Sequence, residues 1–282
     1  MMSKNTIKYK GEILAEDPAL LVKSPGVLGE YKELRADARE ADTLDLTVVS
    51  DSGTIQSFSL NDKVEYFREG KRKGVYYLQS ATRFGPMLYT LSALSAVGRL
   101  IARTHRGGIY TGQTVAEVAA DICGEIPVIA ETTYRDIKLY GWLPIATARD
   151  NLVRVLFAVG AWLHTDENGT LRVQKLWDGT SSTIGAGRVH ATNIQVKFLE
   201  PVSAVAVTEH QYVPGAEAVT LFSGTAQQGD VIEFDAPAHS LTAEGFTILE
   251  SGVNYAVLSA GSGTLSGKSY AHNMRVVTKT VT

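Results

Sequence analysis

Gly261-Ser-Gly-Thr-Leu-Ser-Gly267-Lys268-Ser269 has the composition of a phosphate-cradling loop. Such a loop offers backbone amides from a glycine-rich turn and one lysine ahead of a hydroxyl, with its first glycine five positions before the Gly-Lys pair. That position is Ser262, and thirteen residues follow Ser269. A nucleotide loop needs a parallel sheet built after it, so the segment reads as a hairpin turn. The six histidines, His105, His164, His190, His210, His239 and His272, show no His-x-x-x-His or other compact ligand spacing. Each reads as a surface or turn residue. No Gly-x-Ser-x-Gly elbow is present. Glu16-Asp17 and Asp166-Glu167 read as solvated turns, so a glycosidase-like carboxylate pair would have to form in space.

Asp166–Leu171 places its glycine fourth, where a calcium loop has it sixth. Asn168-Gly-Thr170 matches a glycosylation sequon, but the first residues hold no apolar stretch of signal-peptide length. The sequon reads as chance and the segment as a hairpin. The single cysteine, Cys123, excludes an intrachain disulfide and argues against a cysteine metal site. Tyr76, Tyr77, Tyr89 and Tyr110 form either a ligand-stacking set or core and interface packing, and aromatics in strands favour packing. No catalytic, cofactor-binding or metal residue is assigned, and the expectation is a protein that is not an enzyme.

The elements that would position these groups read as strand, then mixed, then strand. The chain has 282 residues, 44% hydrophobic and 20% charged, enough for two or three domains. A net charge of −3 argues against a general nucleic-acid binder, and no apolar run is long enough to span a bilayer. The expected setting is a reducing cytoplasm. Leu44, Leu46 and Val48 alternate with Asp45 and Thr47, as in a half-buried strand. Gly74–Ser80 and Met87–Ala93 flank a Gly-Pro link and predict a hairpin. A short helix follows with Leu94, Val97, Leu100 and Ile101 on one face.

Thr114-Val-Ala-Glu117 has capping-box spacing, and the helix it opens ends at Gly124. A second helix runs from Thr147, with Asp150 at its third position and a stripe of Leu152, Val155, Leu156 and Val159, to Gly160. Asn168-Gly169 between apolar runs predicts a hairpin. From about Asn193 the chain offers short runs: Val202–Val207, Val219–Phe222, Val231–Phe234, Phe246–Leu249, Tyr255–Leu258 and Met274–Thr280. Ser259–Gly267 reads as a flexible turn between two of them. The expected domains are 1–108, 109–186 and 187–282.

The order of Asp42–Leu46, Asn61–Tyr66, Gly70–Leu78, Leu88–Leu100, Tyr110–Ile122, Ala148–Ala161 and Asp166–Val173 resembles the baseplate hub, or tail-associated, proteins of phages and contractile injection systems. The resemblance covers roughly residues 40–180, and the remainder fits as generic β structure. It implies an α+β, mainly β fold with two tube-type β-barrel-like domains and a small α/β insertion. It further implies a homotrimeric ring in the virion tail, joining a tail tube to a spike or fibre. Expected partners are a tube or distal tail protein, a tape-measure protein and a separate spike or fibre protein. It carries no catalytic residues. The alternative is a carbohydrate-binding, adhesin-like tail module that uses Tyr110 or Tyr212.

Overall fold

The computed structural model describes residues 4–17, 20–25, 42–49, 57–85, 87–175, 183 and 202–280. His190 and the start of the last β part near Asn193 lie outside the described residues. The fold is α+β and mainly β, the class that the sequence implies. Seven strands come first: β1 (Asn5–Tyr9), β2 (Glu12–Glu16), β3 (Leu20–Pro25), β4 (Thr43–Val49), β5 (Lys63–Arg68), β6 (Lys71–Phe84) and β7 (Leu88–Leu94). They form one antiparallel sheet in the order β2-β1-β5-β6-β7-β4-β3. The sheet curls until β1 lies beside β3, and β2 beside β4, from its opposite ends.

The curl encloses one face. Leu44, Leu46 and Val48 are buried on it, as their alternation requires, with Ile7, Val64, Leu78, Leu91, Tyr76 and Tyr89. Tyr76 and Tyr89 are therefore core residues and not a stacking platform. The β6–β7 hairpin brings Phe84 opposite Leu88, where the sequence places the turn.

The middle of the chain adds α1 (Ala96–Ile101), β8 (Thr104–His105), β9 (Gly108–Thr114), α2 (Val115–Cys123), β10 (Val128–Ala130), α3 (Thr132–Arg135), β11 (Lys138–Leu143), β12 (Ala146–Thr147), α4 (Ala148–Val159), β13 (Trp162–Thr165) and β14 (Leu171–Gln174). Its core, from Ala96 to Val173, packs α1, α2 and α4 against the β10-β14-β13 sheet. The capping box is present: the Glu117 amide donates to Thr114 Oγ1 at 3.2 Å, and the Thr114 amide donates to Glu117 Oε2 at 2.7 Å. Thr147 caps α4 through the Asp150 amide, and Gly160 ends it with φ of +66°. The short first helix differs from expectation. Leu94 still pairs with Thr43 and Tyr77 in the sheet, α1 begins only after Ser95, and Ile101 is exposed. Among the described residues no helix is long and apolar enough to cross a membrane.

The last part contains β15 (Ala204–Ala226), β16 (Asp230–Glu233), β17 (Ala238–Glu244), β18 (Ile248–Ser251), β19 (Tyr255–Leu258) and β20 (Gly261–Thr280). Two expectations are corrected here. The runs Val202–Val207 and Val219–Phe222 are not separate strands, since β15 is continuous through 23 residues. Nor is Ser259–Gly267 a flexible turn, or Gly261–Ser269 a hairpin turn. Residues 261–269 are the first half of β20, paired with β15 on one side and partly with β17 on the other. The glycines serve close backbone approach. A Cβ on Gly263 would lie 1.9 Å from Glu244 O, and one on Gly261 would lie 2.1 Å from Gly245 O.

Asp166 is a third correction, because the carboxylate is buried at 9% exposure rather than solvated. It accepts the Asn168 and Thr170 amides, each at 2.9 Å, and Arg172 Nε at 2.9 Å. These bonds shape the β13–β14 hairpin, and Arg72 of β6 reaches Asn168 Oδ1 at 3.0 Å. Burial pushes the Asp166 pKa up, but the donors outweigh it and hold the value below the ordinary 3.8. A lowered pKa means the stabilisation is present above 3.8 and lost as pH falls through the lower folded value. Asp166→Asn is expected to destabilise by about 1–2 kcal/mol at neutral pH, with the gap to the parent closing at an acid pH below the lowered folded value. Urea melts at both pH values measure this.

Candidate interaction surface

The outer halves of β15 and β20 form a two-stranded ribbon, paired from Ala204 opposite Thr280 to Pro214 opposite Tyr270. Among the described residues no third strand pairs with this half, since β17 reaches only as far as Ser269. At ~3.4 Å per residue the ribbon is ~35 Å long. Residues directly opposite share a face. One face carries Val205, Val207, Val277 and Val213, with Glu209 opposite Arg275; the other carries Val276, Met274, His210, His272 and Tyr212. Val207 is 60% and Met274 66% exposed. Apolar side chains on both faces beside open strand edges are the marks of an assembly surface.

The inner half is anchored differently. There Leu221, Phe222 and Phe246 pack around Leu265, Leu258 and Ala256. Where the two halves meet, β11 of the middle unit lies against β15. A Cβ on Gly141 would sit 3.9 Å from His210 O, so the two backbones pass close together.

Asn254 fixes this junction. It is 1% exposed. Its Nδ2 donates to Arg106 O and Leu143 O, both at 2.9 Å, and its Oδ1 accepts Trp142 Nε1 at 2.6 Å. The three contacts fix the amide orientation. Gly107 makes room, as a Cβ there would lie 2.1 Å from Leu143 O and 2.4 Å from Asn254 Nδ2. Outside the amide, Arg106 pairs with Glu250 and lies 4.3 Å over the Tyr255 ring, while Tyr255 OH donates to Glu250 at 2.6 Å.

A groove of about 310 Å³ opens beside the junction, lined among others by Tyr110, Tyr140, Trp142, Arg154, His210 and Tyr212. It brings together Tyr110 and Tyr212, which lie 102 positions apart in sequence. Burial pushes the Tyr110 hydroxyl pKa up to about 12, with nearby Asp121 adding to the shift, so the phenol stays neutral at physiological pH. The Tyr212 ring stacks on His272 at 4.4 Å and 4° and lies 6.2 Å from Trp142. Nothing in the local sequence marks Tyr140 or Trp142 as groove residues; the register of β9 against β11 puts them there.

The histidines separate. His105 corrects the surface expectation: at 6% exposure it packs between α2 and α4, 3.2 Å from Asp121 Oδ2 through Nε2 and 2.9 Å from Asn151 Nδ2 through Nδ1. Because Asn151 Nδ2 can only donate, Nδ1 accepts and Nε2 carries the proton. Cys123 is also buried, and burial raises its thiol pKa to about 12, which leaves it unreactive. Among the described residues no group of three or more His, Cys, Asp and Glu is arranged to hold a metal ion.

No family model matches the chain, and no curated protein matches it. Among solved structures it is similar to a tail protein from Neisseria meningitidis MC58, with 15% identity and a TM-score of 0.46, covering 61% of this chain and 50% of that one. It is similar to the 43 kDa tail protein of prophage MuSo2 from Shewanella oneidensis, with 16% identity and a TM-score of 0.45, covering 62% and 56%. It is also similar to a prophage tail protein from Listeria monocytogenes, with 8% identity and a TM-score of 0.42, covering 75% and 61%. The chain thus spans between half and two thirds of the length of these proteins.

Asn254→Ala removes the partner of two carbonyls and of the Trp142 indole N–H at a largely buried junction. A loss of about 2–4 kcal/mol is expected in urea unfolding, with a red shift of Trp142 emission in the folded baseline. Asn254→Asp should lose at least as much, because a carboxylate cannot donate to the two carbonyls.

Proposed function

We propose that the chain is a structural baseplate hub protein of a phage or phage-like tail, a non-enzymatic ring subunit that joins the tail tube to a central spike or fibre. The observation that carries this reading is the outer half of the β15–β20 ribbon, with which no third strand pairs among the described residues. It presents apolar side chains on both faces and open edges, on a body whose polar clusters serve packing. A ring subunit needs such a surface, because each copy covers its neighbour's exposed edge. The order of curled sheet, α/β unit and second β part agrees with the segment order that the sequence shares with hub proteins. In this reading the chain divides at 1–108, 109–186 and 187–282, forms a homotrimer, and meets a tube or distal tail protein, a tape-measure protein and a separate spike or fibre protein in the virion. The acidic net charge suits a lumen that passes DNA without holding it.

Light scattering on the purified chain, alone and mixed with its tube and spike proteins, is expected to show a species of three copies of 30.4 kDa. Val207→Glu with Val277→Glu should return the chain to monomer with its circular dichroism unchanged. Monomer in every mixture of the unaltered chain would sink the proposal.

A carbohydrate-binding reading is favoured by one observation, the meeting of Tyr110, Tyr140, Trp142 and Tyr212 in the groove. Aromatic faces beside Arg154 suit a pyranose ring and its hydroxyls. A glycan array would support it through binding that Tyr212→Ala reduces at least tenfold, and blank arrays would remove it.

A further inference from the structure

His210 and His272 stand 62 positions apart in sequence and meet across the ribbon, with His210 Nδ1 2.8 Å from His272 Nε2. Their ring planes are inclined by 18°. The Tyr212 ring lies flat on His272 from the far side and holds its plane. Met274 is the register partner of His210, two residues beyond His272 on the same strand. Alternation puts both histidines and the methionine on one face of the ribbon. The face is solvent-accessible at all three residues.

Two facing imidazole nitrogens, with a thioether at the register position opposite His210 on the same face, are a transition-metal donor set. The nitrogen spacing selects among metals. Nitrogens ~2.0 Å from one ion are ~2.8 Å apart when they subtend a right angle, and ~3.3 Å apart at the tetrahedral angle of zinc. The right angle belongs to the tetragonal geometry of Cu(II), which is also the divalent ion that imidazoles hold most tightly. A methionine across the strand suits the weak, long axial position found in copper sites.

We propose that His210, His272 and Met274 form a copper site that clamps the two strands of the ribbon. The two imidazoles supply equatorial nitrogens, Met274 supplies the axial sulfur, and water completes the shell. Binding needs both facing nitrogens free of protons, so the proton shared between them moves to the outer nitrogen of its own ring. No bond is oxidised or reduced. The ion bridges strands that no third strand pairs with here among the described residues, so its binding stabilises the folded ribbon.

The test is a Cu²⁺ titration of the full chain against glycine as competitor, with Zn²⁺ run in parallel. Trp142, next to Tyr212, reports by quenching, and electron paramagnetic resonance counts the nitrogen ligands. Expected are one equivalent of copper, two equatorial nitrogens and a higher melting temperature with copper present. His210→Ala and His272→Ala should each weaken binding by about tenfold or more, and the double variant should lose both the quenching and the melting shift. Met274→Leu should leave the two-nitrogen signature in place and lower affinity by less than either histidine change. No stoichiometric copper uptake by the unaltered chain, or uptake and quenching that persist in the double variant, would overturn the site. Zinc held as tightly as copper would also overturn it, because the right-angle geometry would then not be selecting the ion.

Discussion

Buried amides need a partner for each donor and acceptor, and Asn254 meets that need by joining three separate stretches of chain. Its Nδ2 takes the carbonyls of Arg106 and Leu143, and its Oδ1 takes the Trp142 indole. At 1% exposure the Asn254 amide depends on these three partners for its hydrogen bonds. The contact therefore fixes the loop before β19 against the start of β9 and the end of β11. Everything beyond the junction follows that placement. Trp142 meets Tyr212 of the ribbon at 6.2 Å, and the groove lies where β11 and β15 are held side by side.

The ribbon has two mechanical regimes. Its inner half is wedged by Phe222, Leu221 and Leu265 and by pairing with β17. Its outer half is held by cross-strand pairs and by β11 packed against His210 and Tyr212. Two bulges separate these regimes, between Pro214 and Ala218 and between Thr220 and Phe222. A bulge adds twist and turns a strand's faces, so Tyr212 faces Trp142 while Leu221 and Phe222 face the C-terminal core. Proline at 214 has no amide to donate, which suits a position beside a bulge.

Features decided within a few residues were legible from sequence. The capping box at Thr114 and Glu117, the cap at Thr147, the left-handed Gly160 and the Asn168-Gly169 hairpin each depend on local hydrogen bonds, and each is found where its pattern lies. The alternation of Leu44, Leu46 and Val48 was legible because one face of the curled sheet is solvated and the other is not. Features decided by long-range pairing were not. Glycine and serine at 261–269 carry the composition of a turn, and only the nearness of residues 244–245 shows that they are glycines of close approach in a strand. His105 has no sequence mark of burial, because its partners Asp121 and Asn151 come from two helices. Of the groove, Tyr110 and Tyr212 were singled out from sequence, but their meeting depends on the Asn254 junction more than a hundred residues from Tyr110.

A two-stranded ribbon in water is marginal by itself, because its hydrogen bonds trade against water and its side chains bury little. Soluble proteins with open edges usually guard them with lysine, proline or inward charge. Along the outer ribbon the guards are sparse: Lys279 near the tip, the cross-strand pair of Glu209 and Arg275, and Pro214 at the inner end. Between them lie Val205, Val207, Val276 and Val277, all exposed. Covering four such side chains supplies roughly 4–8 kcal/mol at ~25 cal/mol per Å², the same order as the entropy of association that must be overcome. An edge with that much apolar area and so little protection is what a neighbouring copy would cover in the proposed ring. A cross-strand bridge near His210 would therefore act on the element that the proposed ring would cover.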